Sequence, residues 1–564
     1  MKILGISNNL GASASLIING KLIFAIHEER LNRNKDFKGL PEKSIKYIFS
    51  KYGLSFKSID LVTYGVANNF HDLSINESIN NLKKKYKDKK IKEIIDRRYK
   101  TERKWIKKHI NEIKHFAKKN NFLKKLKFQD HHLSHAAGAL FTSPFLDAYV
   151  FTADGKGDFL SSTCYSYNNN NNKLELLSSN STFNSLGYFY SNVTSALGFK
   201  PEKHEGKITG LAAYGKKTKL IEYFETFIKF NKNKFSFIIG DDYQPFFCEE
   251  KHIPIFYKKI KQYSKEDVSY AAQYILEKYV LKWIKTFLPK NKKNNICLSG
   301  GIFANVKLNQ KINEMKNVKN VYIHPAMGDQ GLSVGSSYAE LSQIKKIKPK
   351  FLSSVALGNS YSNNELKLFL DNNKIKYTFM HNIALEMHKE LSKNRPIGFF
   401  SGRMEYGPRA LLNRSIIYHA KDKKVNIWLN KKLNRSEFMP FAPVTIEEKA
   451  KDCFKGWKSN QFAADFMTIT YKCNKNFIKK CPAAVHVDQT ARPQIIRRTN
   501  NLKHYNILKQ FFKISGEIAI LNTSFNNHEE PIVCAPRDAL ESLNRRNIDV
   551  LFLENFKIYG KDIS

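Results

Sequence analysis

Ile296-Cys297-Leu298-Ser299-Gly300-Gly301-Ile302-Phe303-Ala304-Asn305 is the stretch from which the rest of the chain is read. Three apolar residues followed by a Gly-Gly pair predict a buried strand, a tight turn and a helix start. Free N–H groups and the helix dipole at such a junction favour an anion, so Gly300, Gly301 and Asn305 are candidates for seating a phosphate or nucleotide. The same form recurs where a strand over 320–323 meets Met327-Gly328-Asp329-Gln330-Gly331 and a helix carrying Ser333, Gly335, Ser336 and Ser337.

Further out, residues 2–7 and 15–26 read as a strand and a hairpin turning at Asn19-Gly20. Strands at 148–153 and 161–167 flank Asp154-Gly155-Lys156-Gly157-Asp158. Hairpins, glycine turns carrying aspartate and strand–glycine–helix units together predict a duplicated α/β domain of the actin/hexokinase-like (ASKHA) class. Between these strands lies Asp130-His131-His132-Leu133-Ser134-His135-Ala136-Ala137. On a helix, His131 and His135 share one face a turn apart, which suits two ligands on one metal ion. The small residues that follow allow another element to pack closely behind. With Asp154 and Asp329 the donor set becomes imidazole plus carboxylate, which iron, manganese or zinc would accept. The competing reading is of helix-capping or buried, hydrogen-bonded histidines.

A chain of 564 residues exceeds one core, so two or more domains are expected. Apolar content of 42% and a mean hydropathy of −0.46 fit a soluble globular protein. No apolar run reaches the ~18–20 residues of a membrane span, and the start turns polar too early for a signal peptide. Seven scattered cysteines without C-x-x-C argue against zinc ribbons and a disulfide framework, so a cytoplasmic location is expected. The net charge of +43 invites a nucleic-acid reading. Lysine and asparagine are abundant everywhere, however, and nucleic acid is not expected as the main partner.

Glu28-Glu29-Arg30, read alone, is a solvated strand end before a helix near 42–53. Residues 76–128 are lysine-rich with helical spacing and predict two or three amphipathic helices, a structural appendage. Glu205-Gly206-Lys207-Ile208-Thr209-Gly210 hints at a substrate-lining loop in which Lys207 is a catalytic candidate. A linker is placed at 341–360. A second α/β unit follows, with helix 363–372, strand 375–379, helix 384–393 and strand 396–400. Its loop 402–415 carries Arg403, Arg409 and Arg414, whose guanidinium forks suit phosphate oxygens. Basic loops at 434–443 and 486–494 add Arg435 and Arg492, and a strand at 518–521 delivers Asn522-Thr523-Ser524-Phe525-Asn526 as phosphate or adenine contacts.

Taken in order, these stretches resemble the NodU/CmcH family of carbamoyltransferases over nearly the whole chain. Glu28-Glu29-Arg30, His131-His132-Leu133-Ser134-His135-Ala136, Asp154-Gly155-Lys156-Gly157, Ser299-Gly300-Gly301, Gly328-Asp329, Gly402 to Leu411, Asn413-Arg414-Ser415, Pro440-Phe441-Ala442-Pro443, His486-Val487-Asp488 and Leu521 to Asn526 carry the likeness. It implies a metal-binding carbamoyl-transfer domain over 1–350 and a YrdC-like α/β domain over 360–564 that forms carbamoyl adenylate from carbamoyl phosphate and ATP, with Mg accompanying ATP. Arg403, Arg409, Arg414 and Arg492 would neutralise phosphate charge. Arg435, Asn522, Ser524 and Asn526 would orient the nucleotide. His131, His135, Asp154 and Asp329 resemble the family's iron site, beside which a small-molecule hydroxyl acceptor would take the carbamoyl group. A homodimer is implied as well. One departure stands out: the family's His-Asp before the first hairpin is Leu10-Gly11 here. The alternatives are a tRNA-modifying enzyme of threonylcarbamoyl type, a metalloenzyme maturation factor, and a nucleotide-binding regulator that has lost catalysis.

Overall fold

Two five-stranded sheets with the same strand order build the first of two units. The computed structural model describes residues 1–67, 72–435 and 438–562, so Ser436 and Glu437 of the first basic loop lie outside the described residues. In one sheet Lys2–Ser7 is central. Ser13–Ile18 and Lys21–His27 follow it on one side, and Leu61–Tyr64 and Leu126–Phe128 lie parallel on the other. In the second, Asp147–Gly157 is central, flanked by antiparallel Leu160–Asn168 and Lys173–Ser181 on one side and parallel Asn294–Ser299 and Val318–Ile323 on the other. This repeat is the duplicated actin/hexokinase-like architecture expected from the strand–glycine–helix pattern.

Each sheet's last strand leads into a helix, His131–Phe141 after the first and Leu332–Ile344 after the second. These helices pack with almost no side-chain padding. A Cβ on Gly335 would stand 2.0 Å from the Ser134 carbonyl oxygen, and one on Gly138 would stand 3.3 Å from the Gly335 Cα. Hence the runs of Ala, Gly and Ser in both helices: backbones this close leave no room for more.

Residues 76–128 divide between Asp72–Lys84, Lys89–Lys119 and the strand Leu126–Phe128. The long helix starts at Asp88, whose carboxylate accepts from Lys90 N, and it buries Ile95, Ile106, Ile110, Ile113 and Ala117. The segment is therefore more than an appendage, because it supplies the edge strand of the first sheet. Three residues are too few for a strand period to show in sequence. Lys173–Ser181 was likewise hidden behind the Asn168–Asn172 tip. Asp154 to Gly157 is strand with a register shift, and the reversal comes later, at Asp158 and Phe159, both with positive φ.

The second unit takes Phe24–Phe37 and Leu352–Ser564. Its eight-stranded mixed sheet runs Thr378–Phe379, Phe556–Tyr559, Val550–Leu553, Ile397–Phe400, Arg414–His419, Ile520–Ser524, Ala442–Ile446 and Gln494–Ile496. The last two strands fall within or just after the stretches read as basic loops. Both are buried on every residue, so neither shows alternation. Residues 24–37, which the sequence left with the N-terminal domain, cluster with the second unit. Glu28, Glu29 and Arg30 there are buried in a short helix rather than solvated. Arg30 pairs with Glu29 at 2.8 Å and donates to the Gly407 carbonyl at 3.3 Å. Among the described residues no helix is long and apolar enough to cross a membrane.

Gly335→Ala is expected to cost about 1–3 kcal/mol through overpacking. Gly206→Ala, where an added Cβ meets nothing, should change stability by less than about 1 kcal/mol. Denaturant unfolding of both variants checks this, and equal losses would refute the packing argument.

Candidate metal centre

Asp130 caps the helix that carries the two histidines, its Oδ1 accepting from Leu133 N at 2.7 Å. Asp158 Oδ2 accepts from His131 N at 2.8 Å and from Ala67 N at 2.9 Å, fixing where the helix begins. His131 and His135 then stand edge to face a turn apart, with ring centroids 4.8 Å from one another. Asp154 lies toward the carboxyl end of its strand, and Asp329 follows the strand Val318–Ile323. Asp147–Gly157, Asn294–Ser299 and Val318–Ile323 are parallel, so their carboxyl ends open at one sheet edge, where α/β proteins place ligands.

The four donor atoms lie within 4.8 Å of one another. His131 Nε2 is 3.6 Å from Asp329 Oδ1, while His135 Nε2 is 3.4 Å from Asp154 Oδ2 and 3.5 Å from Asp329 Oδ1. Both imidazoles are buried, and among the described residues neither Nε2 makes a well-aligned hydrogen bond, the nearby carboxylates standing 3.4 Å or more away, a costly state for a polar atom unless something else fills the space. An ion about 2.1 Å from each donor would hold tetrahedral neighbours about 3.4 Å apart. The two-nitrogen, two-oxygen set thus fits divalent iron, manganese or zinc.

Charge balance points the same way. Burial opposes a charge on His135, but the carboxylates of Asp154 and Asp329 outweigh it and push its pKa up to about 9. Burial and the neighbouring His135 charge pull His131 down to about 3. Burial works against ionising Asp154, yet the pairing with His135 holds its carboxyl below the usual range, while burial and the Asp154 charge raise Asp329. Two adjacent carboxylates require a positive partner here. Without metal a proton on His135 serves, and a divalent ion would take its place.

The supporting contacts orient the donors. Ser299 Oγ donates to the Met327 carbonyl at 3.2 Å and so accepts from His135 Nδ1–H at 3.1 Å. That leaves Nε2 as the coordinating atom once the extra proton is gone. His132, the remaining histidine of the motif, has its Nδ1 2.7 Å from Thr152 Oγ1, which lies 2.6 Å from Thr163 Oγ1. It is a buried structural residue.

The Gly-Gly turn departs from its sequence reading. Gly301 N donates to Asp154 Oδ2 at 3.1 Å, so this amide holds a metal candidate rather than a phosphate. Gly300 has φ +102, and a Cβ there would stand 2.2 Å from the Ala153 carbonyl oxygen. Asn305 caps its helix by accepting from Leu308 N at 3.0 Å, and its amide donates to Gln273 Oε1 at 2.7 Å and Thr209 Oγ1 at 3.2 Å. Those bonds commit Asn305 to structure. Lys207 is buried in the helix Glu205–Leu211, its ammonium 5.7 Å from the Phe199 ring centroid. The Leu10-Gly11 turn abuts the loop that carries Asp329: a Cβ on Gly11 would stand 3.3 Å from Gln330 Cβ.

In the second unit a strand end gathers the predicted residues. Asn522 Nδ2 donates to the Ala410 carbonyl at 3.0 Å and to Gln494 Oε1 at 2.9 Å, tying together the loops that carry Arg409 and Arg492. Arg435 donates to Thr523 Oγ1 at 2.7 Å, Ser524 O at 2.7 Å and Asn526 Oδ1 at 3.0 Å. Arg414 is different. It is fully buried, its guanidinium 3.5 Å from the Phe400 ring centroid, and it donates to the carbonyls of Ser401, Gly402 and Asn413. Arg403 is bonded to the carbonyls of Gly358, at 3.1 Å, and Leu357. These two arginines brace backbone. Sequence reasoning missed Glu405, whose Oε1 accepts from the amides of Leu411, Asn413 and Arg414 at 2.6, 3.0 and 3.1 Å and shapes the arginine loop. Its place four residues before Arg409 was the available signal.

Comparison with known proteins gives matches along most of the chain. Residues 2–338 match the family described as Carbamoyltransferase N-terminus, and residues 388–559 match Carbamoyltransferase C-terminus. An uncharacterized protein of Methanocaldococcus jannaschii is 34% identical, over 99% of this chain and 99% of its own. Another from the same organism is 31% identical over the full length of both. The nodulation protein NolNO of Sinorhizobium fredii is 27% identical over 98% of this chain and 79% of its own.

His135→Ala is expected to remove most bound iron, manganese or zinc, read as metal per chain by elemental analysis. Ser299→Ala, which keeps every donor, should weaken metal binding about ten- to a hundredfold. Unchanged metal content in both variants would refute the site.

Proposed function

The chain belongs to the carbamoyltransferase family, and from that premise we propose that it moves a carbamoyl group from carbamoyl phosphate, through an ATP-derived carbamoyl adenylate, to a hydroxyl of a small-molecule acceptor. The observation that carries this reading is the cage of His131, His135, Asp154 and Asp329 in a chain of this family.

Adenylate formation is assigned to the second unit. Carbamoyl phosphate loses phosphate to water, giving carbamate. A carbamate oxygen then bonds to the α-phosphorus of ATP as the bond to pyrophosphate breaks. Negative charge moves onto the departing phosphates, and Arg409 and Arg492 are the side chains we assign to meet it. Asn522 supports them by holding both loops, and Arg435 stiffens the strand end where Ser524 and Asn526 would orient the nucleotide. Arg403 and Arg414 serve indirectly by bracing the loop.

Transfer is assigned to the first unit. The acceptor oxygen bonds to the carbamoyl carbon, the carbon–oxygen bond to AMP breaks, and the hydroxyl proton leaves with the departing AMP or with water. A divalent ion in the cage would supply Lewis acidity toward a carbonyl or phosphate oxygen. His131, His135, Asp154 and Asp329 would hold it. Ser299 and the Gly301 amide keep His135 and Asp154 in place without rearrangement.

Pyrophosphate release from ATP by metal-loaded protein should depend on added carbamoyl phosphate. Arg409→Ala should lower the rate about a hundredfold or more at unchanged melting temperature. Arg414→Ala should instead lower the melting temperature, because it removes the buried guanidinium that donates to the carbonyls of Asn359, Ser401, Gly402 and Asn413. Pyrophosphate release without carbamoyl phosphate would overturn the donor assignment.

A further inference from the structure

The helix Lys89–Lys119 carries a second stripe beside its apolar one. Arg98, Glu102, Trp105, His109 and Glu112 are spaced four, three, four and three apart, which puts them on one face. Such a face usually meets water, but this one meets the loops of the metal centre. Glu102 is 1% exposed and accepts from Phe159 N at 3.1 Å, and Arg98 donates to the Tyr188 hydroxyl at 3.1 Å. The Lys156 ammonium lies 4.5 Å from the Trp105 ring centroid. His109 stands edge-on to Trp105 at 4.2 Å, and its side chain is 13% exposed.

Three of the residues this face meets, Lys156, Phe159 and Asn8, adjoin segments that carry or hold the metal candidates. Lys156 is two residues beyond Asp154. Phe159 follows Asp158, which holds the His131 amide at 2.8 Å. Asn8 follows Ser7, whose hydroxyl donates to the Asp329 carbonyl at 3.0 Å. Asn8 also settles the state of His109. Its amide oxygen accepts from the Tyr64 hydroxyl, so its NH2 faces His109 Nδ1 at 3.1 Å and Glu112 Oε2 at 3.3 Å. Nδ1 therefore accepts, and the ring proton sits on Nε2. Burial, with the charges of Lys108 and Lys156, draws the His109 pKa down to about 4, so the ring stays neutral near pH 7. Unlike the buried rings of His131, His132 and His135, His109 is partly exposed.

We propose that His109 is a ligand-binding residue of the metal centre, presenting Nε2–H to an oxygen of a phosphate-bearing molecule held there. A neutral N–H donor beside Lys156 suits an anionic oxygen that is already balanced by a metal ion. It does not suit a proton to be abstracted, because the ring's lone pair already accepts from Asn8. The proposal rests on the carbamoyl-transfer reading for its chemistry, where the phosphate belongs to AMP, to carbamoyl phosphate or to free phosphate. The insertion helix thereby shapes what the metal centre accepts.

Metal-loaded full-length protein is titrated with AMP, carbamoyl phosphate and inorganic phosphate by calorimetry. His109→Leu should weaken at least one of these about tenfold or more, while His109→Gln, which keeps an N–H donor, stays within about threefold of the parent. The ligand most affected identifies the source of the phosphate. Metal content and melting temperature should be unchanged in both. The proposal is overturned if both variants bind as the parent does, if Gln fails to rescue, if His109→Leu loses metal, or if the parent binds none of the three. Binding needs no turnover, so His109-dependent binding in a protein that releases no pyrophosphate would sink the proposed reaction and leave this site standing.

Discussion

Two carboxylates, Asp154 and Asp329, face two buried imidazoles across a few ångströms, and that arrangement has to be held against its own electrostatics. Like charges drive the carboxylates apart, burial penalises every charge, and among the described residues the imidazole Nε2 atoms make no well-aligned hydrogen bond. The fold answers with rigid supports: a capped helix for the histidines, a strand for Asp154 and a post-strand loop for Asp329. The bare helix-to-helix contact at Gly335 brings the histidine helix against the helix that follows Asp329. A looser contact there would open the cage.

Glycine pairs at strand ends are usually read as anion seats. Here Gly301 gives its amide to a carboxylate that is itself a metal candidate, which is the same physics turned inward. The strand–glycine–helix form identifies an amide donor without saying whose oxygen it meets. The partner depends on the neighbouring parallel strand, 147 residues away in sequence.

Arginines in the second unit show a similar division. Arg414 and Arg403 carry the same guanidinium as Arg409, yet they are bonded to backbone carbonyls, and the Phe400 ring covers Arg414. Arginines bonded in this way stiffen a loop by satisfying several carbonyls at once. Glu405 does the complementary work for the amides. Between them a loop rich in Gly and Pro becomes a fixed platform for Arg409.

By itself the sequence determined the α/β class, the hairpin at Asn19-Gly20 and the histidine helix, because each rests on local periodicity, turn chemistry or residue type. The i, i+4 spacing of His131 and His135 already placed both on one helix face. Only the tertiary structure decided which short segments became strands, since Leu126–Phe128 and Gln494–Ile496 gain their hydrogen bonds from distant partners. It also decided that Glu28 to Arg30 are buried and that the helix Lys89–Lys119 turns a polar stripe toward the segments at Asn8, Lys156 and Phe159. Side-chain roles such as those of Arg414, Asn305 and His109 depend on which carbonyl, amide or ring arrives from elsewhere in the chain. Local sequence carries the donor but not its acceptor.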